Sequence, residues 1–91
     1  MPCPNIQRYE FTNHARLEMQ RRTVTEHEVQ FVLATPEQSE EVRVGRCVYQ
    51  SRVTSAISSK MFLIRVFVDI DRDPAEVVTV YRTSKIDKYW R

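Results

Sequence analysis

The sequence predicts a single α+β domain, residues 1–91, in which two N-terminal helices pack on a four-stranded antiparallel sheet. Three observations support this prediction. Apolar residues recur at helical spacing in the first third of the chain, and strand-like segments follow in the remainder. The connections between segments are short, so that consecutive strands are expected to form a meander. A chain of 91 residues can bury one modest core.

The first helix is predicted to be capped by Thr12 and to run to about Arg22, where Thr23 breaks the pattern. One side of this helix carries apolar residues, namely Phe11, Ala15 and Met19. A second helix is predicted to open at Thr25, and Glu28 three residues later completes a capping box. Its apolar stripe consists of Val29, Val32 and Leu33, and it is expected to end before Pro36.

The next segments predict a hairpin. Strands are expected at Glu41 to Val44 and at Cys47 to Val53, joined by a turn at Gly45, the only glycine in the chain. In the second of these strands, alternation favours one face as the core face, formed by Cys47, Tyr49, Ser51 and Val53. Residues 54–59 are predicted to form a polar loop.

The most apolar segment, Met61 to Ile70, predicts a central strand that is covered on much of both faces. A turn at residues 71–74 and a last strand from Val77 to Arg82 are expected to follow it. The final residues, Thr83 to Tyr89, are predicted to form a short helix or an ordered tail.

Composition excludes several classes of protein. The chain is 42% hydrophobic and 29% charged, as is typical of a globular domain, and no apolar run approaches the ~20 residues that cross a membrane. Met1 to Pro4 lack the features of a secretory signal. Two cysteines, Cys3 and Cys47, are too few for a disulfide framework and lack metal-site spacing. We therefore expect a cytoplasmic protein with no cofactor and no membrane partner.

The net charge of +2 conceals an asymmetry between the two halves. Residues 1–45 carry five Lys and Arg against seven Asp and Glu, whereas residues 46–91 carry nine against five. The basic excess therefore lies in the predicted sheet and tail, which favours a polyanionic partner such as RNA.

Candidate chemistry lies at both ends of the chain. His14, in the first turn of the first helix, is the side chain best suited to proton transfer near neutral pH. Arg22 and Arg82 are suited to holding phosphate, because a guanidinium can engage two phosphate oxygens. The alternative roles are ordinary ones. His14 could be a capping-turn histidine bonded to the backbone or packed on the sheet edge, and Arg22 and Arg82 could pair with helix acids such as Glu18 or Glu26 or cover the sheet edge.

The C-terminal run adds hydroxyls, cations and aromatics that could position a substrate, namely Tyr81, Thr83, Lys85 and Lys88. Tyr81 and Arg82 must point to opposite faces of the last strand, so only one of them can face a given groove. Tyr89 and Trp90 could stack on bases or dock the tail onto the core. Three aspartates near a turn, Asp69, Asp71 and Asp73, are interpreted as turn and solvent-facing residues rather than metal ligands.

The order of elements and the residues at both ends resemble a known family. Its pattern begins with F-T-x-H-A and M-x-x-R, which are Phe11 to Ala15 and Met19 to Arg22 in this chain. It continues with a helix ending in P-E, here Pro36-Glu37, and a final strand V-T-V-Y-R-T, here Val78 to Thr83. The chain resembles the bacterial domain-of-unknown-function family 4258, which is similar to BrnT-, RelE- and ParE-type toxins. Glu18 and Thr23 depart from that pattern, which often has an arginine and a glycine there.

The resemblance implies a function. Several toxins of this kind are metal-independent ribonucleases held by an antitoxin protein, so RNA and a cognate antitoxin are the expected partners. His14 would act as general base or acid, and Arg22 and Arg82 would neutralise phosphate. The alternative is a catalytically silent protein-interaction module of the same fold. The sequence does not predict an oligomeric state.

Overall fold

The computed structural model describes residues 3–55 and 57–91 and confirms an α+β domain. Its helices and strands follow one another as β1 (Tyr9–Phe11), α1 (Asn13–Arg22), α2 (Glu26–Ala34), β2 (Gln38–Arg43), β3 (Arg46–Thr54), β4 (Met61–Asp69), β5 (Ala75–Thr83) and α3 (Ile86–Tyr89). The strands form one mixed sheet in the order β1-β5-β4-β3-β2. Strands β2 to β5 form the predicted antiparallel meander, with β4 internal.

The prediction of a four-stranded, wholly antiparallel sheet is wrong in one respect. Strand β1 adds a fifth strand, which pairs parallel with the start of β5. The backbone N–H of Ala75 donates to the carbonyl of Arg8, and the N–H of Thr12 donates to the carbonyl of Val77. Three residues are too few to show the alternation that marks a strand, and the partner of β1 is distant in sequence.

Local signals place both N-terminal helices as predicted. The hydroxyl of Thr12 accepts a hydrogen bond from the N–H of Ala15, which caps α1. The capping box of α2 is complete, because the Thr25 hydroxyl accepts from the N–H of Glu28 while the Glu28 carboxylate accepts from the N–H of Thr25. The observed strands differ from the predicted bounds by up to three residues at their ends. The predicted loop 54–59 contains Ala56, which lies outside the described residues.

The core lies between the two helices and one face of the sheet. Helix residues such as Ala15, Met19 and Val32 pack there against the central strands. The predicted core face of β3 is confirmed for Cys47, Tyr49 and Ser51, which are buried, and Val53 packs on the same cluster. Both faces of β4 are covered, as its apolar sequence predicts, since Leu63 and Ile64 are both buried.

The C-terminal segment covers the second face of the sheet. The carbonyl of Tyr89 accepts a hydrogen bond from the Gln50 side chain, and the Tyr89 ring lies 4.3 Å from the guanidinium carbon of Arg65. The Trp90 ring stacks in the same way under Arg52. Both aromatic residues therefore dock the tail onto the sheet, which was one of the two predicted roles, and α3 is the predicted short terminal helix.

The two cysteines are paired, although their number gave no reason to expect a disulfide. Cys3 and Cys47 form a disulfide that joins the N-terminal segment to β3, with 6.1 Å between their Cα atoms. The Tyr49 hydroxyl donates to the carbonyl of Pro4 and holds the same segment. Disulfides persist mainly in oxidising compartments, so this bridge does not support the predicted cytoplasmic location, which stays a prediction. Within residues 3–55 and 57–91, no helix is long and apolar enough to cross a membrane.

Thr23 ends α1 in a left-handed conformation, with φ of 57° and ψ of 50°. A β-branched residue pays a steric cost there that glycine avoids. We expect Thr23→Gly to raise the free energy of unfolding by about 0.5–1 kcal/mol, measured by urea denaturation. The matched variant is Thr25→Gly, at a position with negative φ where the side chain caps α2, and it should lower stability. A lower urea midpoint for Thr23→Gly would contradict this account.

Candidate functional site

A cationic cavity lies where the last turn of α1 meets the C-terminal end of β5. Its volume is about 400 Å³, and it is lined by Arg21, Arg22, Phe62, Arg82, Thr83 and Ser84. The two arginines of α1 come from the turn that precedes the left-handed Thr23. Strand β5 contributes its last residues, beyond the stretch that pairs with β1. The fold thus brings together two of the predicted phosphate ligands, Arg22 and Arg82, with Thr83.

Arg82 faces the helix side of the sheet, because it stands opposite the buried Ile64 in the β4–β5 register. Its guanidinium carbon lies 4.0 Å from the centre of the Phe62 ring. In the part of the chain that the structure describes, no carboxylate pairs with this guanidinium. Arg82 therefore keeps its hydrogen-bond donors available for an anion.

Arg22 is shared between the cavity and a carboxylate. Its Nε donates to Glu18 at 3.1 Å, and Nη1 of Arg21 donates to the other oxygen of the same carboxylate at 3.0 Å. The Arg22 guanidinium carbon also lies 4.6 Å above the ring of Tyr81. Glu18 was one of the two partners considered for Arg22 from the sequence, and the contact fixes the guanidinium at the rim of the cavity.

Glu18 is only 7% exposed, which is unusual for a carboxylate. Burial acts to raise the pKa of Glu18, but the hydrogen bond from Arg22 and the positive charges of Arg21, Arg22 and His14 together lower it below its ordinary value. Glu18 is therefore ionised at neutral pH and offsets part of the positive charge beside the cavity.

His14 stands apart from this cavity. It is exposed in the first turn of α1, eight residues before Arg22, which corresponds to about 12 Å along the helix axis. In its protonated form it also acts to lower the pKa of Glu18, one turn further along the helix. His14, Glu18 and Arg22 thus follow one another on a single stripe of α1 at four-residue spacing.

The remaining predicted ligands take different positions. Tyr81 lies on the second face of the sheet, opposite Arg65, and its ring meets the edge of Tyr89 at 5.7 Å between centroids. The neighbouring Tyr89 hydroxyl, followed by Thr83 and the charges of Arg22 and Lys88, lowers the pKa of Tyr81. Lys85 and Lys88 are exposed at the start of the tail. The predicted opposition of Tyr81 and Arg82 is observed, and the cavity lies on the Arg82 side.

The aspartates at the end of β4 and just beyond it are engaged by arginines. Asp69 is buried and accepts two hydrogen bonds from Arg46, at 2.6 and 3.2 Å, so its interpretation as a solvent-facing turn residue is wrong. Asp71 pairs with Arg72, and Asp73 pairs with Arg8. The hydrogen bond from Arg46 lowers the pKa of Asp69.

Sequence reasoning missed Arg21 and Phe62 as parts of the site. Arg21 could have been found, because it stands three residues after Glu18 on a predicted helix. The position of Phe62 follows from the β4–β5 register, which the sequence does not display.

Comparison with known proteins gives one match. A family model described as "Domain of unknown function (DUF4258)" matches residues 11–82. No curated protein and no solved structure matches the chain. The matched region includes His14, Arg22 and Arg82, whereas Thr83, Lys85 and Lys88 lie beyond it.

Proposed function

The chain belongs to the DUF4258 family, and we propose that it binds RNA at the cavity formed by Arg21, Arg22 and Arg82 and cleaves it without a metal ion. The observation that carries this proposal is the convergence of three arginines from α1 and β5. Among the described residues, no carboxylate pairs with one of these arginines, Arg82. Arginine clusters of this kind recognise phosphate groups. The proposal includes similarity to BrnT-, RelE- and ParE-type toxin domains, which two N-terminal helices on an antiparallel meander support.

Arg22 and Arg82 hold one phosphate in this proposal, and Thr83 lines the same cavity. His14 lies too far along α1 to contact that phosphate, so it acts on a different phosphate of the same strand. There it takes the proton of a ribose 2′-hydroxyl. The 2′-oxygen then attacks phosphorus, the bond to the 5′-oxygen breaks, and that oxygen takes a proton from solvent water. His14 afterwards gives its extra proton back to solvent. The products are a 2′,3′-cyclic phosphate and a 5′-hydroxyl.

A second candidate function is a catalytically silent module that binds a protein partner. The observation that favours it is Glu18, because its carboxylate already occupies donors of Arg21 and Arg22. An acidic antitoxin segment could bind the remaining donors in the same way. Incubation of the pure protein with labelled RNA in EDTA separates the two functions: cleavage supports the ribonuclease, and the absence of both cleavage and salt-sensitive binding supports the silent module.

We expect Arg82→Ala to weaken RNA binding by about 10- to 100-fold, because a charge-assisted contact with phosphate is lost. The slope of log affinity against log salt should fall by about one unit. Arg82→Lys should restore binding only in part, since an ammonium cannot make the two-pronged contact. Fluorescence anisotropy with a labelled RNA measures all three effects.

The matched control for this prediction is Arg8→Ala. Arg8 is an exposed arginine beside Ala75, at the opposite end of β5, about 23 Å from Arg82 along the strand. Its loss removes the same charge from the domain but leaves the cavity intact. Equal losses of RNA affinity in Arg8→Ala and Arg82→Ala would show a diffuse electrostatic attraction rather than a site.

We expect Glu18→Gln to strengthen RNA binding about two- to fivefold, because the ionised carboxylate competes with phosphate for Arg21 and Arg22. The amide keeps the size of the side chain while removing its charge. Glu10→Gln is the control, since Glu10 is an exposed carboxylate on β1 and gives the same net charge. Weaker binding by Glu18→Gln, measured in the same anisotropy assay, would mean that Glu18 mainly positions the arginines and does not compete with RNA.

A further inference from the structure

A second, more apolar cavity adjoins the cationic one. Its volume is about 390 Å³, within the roughly 300–1,000 Å³ of sites that bind small molecules. Apolar side chains from β3, β4 and the loop between them line it, namely Val53, Ile57, Phe62 and Ile64. Thr23 and Ser55 also line it, and their hydroxyl groups can donate a hydrogen bond to a polar edge, whereas the hydroxyl of Thr25, another lining residue, is engaged with Glu28 in the capping box.

The two cavities share a wall. Phe62 and Arg82 line both of them, and the guanidinium carbon of Arg82 lies 4.0 Å from the centre of the Phe62 ring. One side of this wall is therefore cationic. The other is mainly apolar, with hydroxyls and the carboxylate of Glu28 among its lining groups, so it favours an uncharged group over a second phosphate. A ligand that fits both compartments has a phosphate joined to a flat, mostly apolar group with polar edges.

We propose that the apolar cavity binds a single unstacked base of the RNA strand whose phosphate is held by Arg22 and Arg82. This inference rests on the proposed function and adds a base subsite to it. Unpaired bases stack on aromatic rings and on arginine planes, and Phe62 with Arg82 offers both surfaces. Charge complementarity orients the nucleotide, because the phosphate belongs on the arginine side of the wall and the uncharged base on the other.

Ile57 gives independent support for an occupant. It is 97% exposed although it is a large apolar residue, and it lies at the mouth of the cavity. A base inserted beside it would cover that side chain. Val44, in the turn between β2 and β3, is 91% exposed and does not line this cavity, so it provides a matched comparison.

The test compares two labelled oligonucleotides of equal length by fluorescence anisotropy at one salt concentration. One is a mixed-sequence 2′-O-methyl RNA, which cannot be cleaved by its own 2′-hydroxyl, and the other is the same backbone without bases. We expect the abasic oligonucleotide to bind about 5- to 150-fold more weakly, the usual effect of losing base stacking. Equal affinities would overturn the base subsite and leave phosphate binding intact, whereas failure of both oligonucleotides to bind would overturn the proposed function itself.

Variants locate the effect in the cavity. Phe62→Leu keeps an apolar side chain on β4 but removes the flat ring, and Ile57→Ser changes only an exposed residue. Both should weaken binding of the base-containing RNA. Ile57→Ser should leave the abasic oligonucleotide unchanged, whereas Phe62→Leu, which also alters the lining of the cationic cavity, should weaken the base-containing RNA more than the abasic one. Val44→Ser should alter neither. A loss that is equal for both oligonucleotides in Ile57→Ser, a change too exposed to disturb the core, would also overturn the subsite.

Discussion

Replacing His14 with alanine is expected to slow metal-free RNA cleavage by about 10²–10⁴-fold, the usual contribution of one positioned acid–base group. RNA affinity should change little, because His14 lies about 12 Å along α1 from Arg22 and outside the cationic cavity. The measurement is single-turnover cleavage of a labelled RNA in EDTA. The upstream products that end in a 2′,3′-cyclic phosphate are separated from any that end in a 3′-hydroxyl.

His27→Ala is the matched control for the histidine. His27 is the other histidine of the chain and is exposed on α2, so its loss should leave cleavage unchanged. If His14→Ala cleaves RNA as fast as the wild-type protein while Arg82→Ala is impaired, the proposed RNA site stands but His14 has no acid–base role in cleavage. Loss of wild-type cleavage on addition of EDTA would instead show that a metal ion takes part.

The parts of the fold that the sequence predicts correctly depend on local signals. Thr12 and the Thr25–Glu28 pair set the starts of both helices through contacts three residues apart, which any reader of the sequence can identify. The unbroken apolar run of β4 likewise indicates an internal strand, because such a strand has both faces covered.

The features that escaped prediction depend on contacts between distant residues. Strand β1 exists because Tyr9 to Phe11 meet the start of β5, more than sixty residues later. Strand β2 begins at Gln38, earlier than predicted, because Gln38 pairs with Gln50 and its side chain meets the C-terminal residue Arg91. The hydrophobic pattern of a segment does not show which distant segment it pairs with, so the pattern could not give the bounds of β1 and β2.

The contacts of the candidate site also fall into those that local sequence spacing predicts and those that join distant residues. The contact of Glu18 with Arg22 follows from helical spacing and was among the pairings considered. The meeting of Arg22 with Arg82 and the shared wall of Phe62 and Arg82 join residues that are distant in sequence, and no local pattern indicates either contact. Composition and motif reasoning identified suitable residue types, but the β4–β5 register decides which of them face one cavity.

Reduction of the Cys3–Cys47 disulfide is expected to lower the free energy of unfolding by about 4 kcal/mol. The bridge spans a sequence separation of 44 residues, so its loss releases a long loop in the unfolded chain. Urea denaturation with and without excess dithiothreitol measures the change. The reductant supplies the two electrons and two protons that convert the disulfide to two thiols and is itself oxidised to a cyclic disulfide.

Cys3→Ser separates the bridge from the packing of its buried partner. Cys3 is half-buried whereas Cys47 is a buried core residue, so the substitution at Cys3 removes the disulfide without opening a cavity in the core. This variant should match the reduced wild-type protein and should not respond to dithiothreitol. A urea midpoint of the wild-type protein that is the same with and without reductant would contradict a stabilising role for the bridge.

RNA binding should survive reduction under conditions in which the domain stays folded. Cys47 pairs with Val68 in the sheet, six residues along β4 from Phe62, and this corresponds to about 20 Å between the disulfide and the wall of the cavity. The bridge therefore acts on the stability of the whole domain and not on the geometry of Arg22 and Arg82. If the reduced protein is fully folded and still binds RNA more weakly, the disulfide and the cavity at the other end of the sheet are coupled.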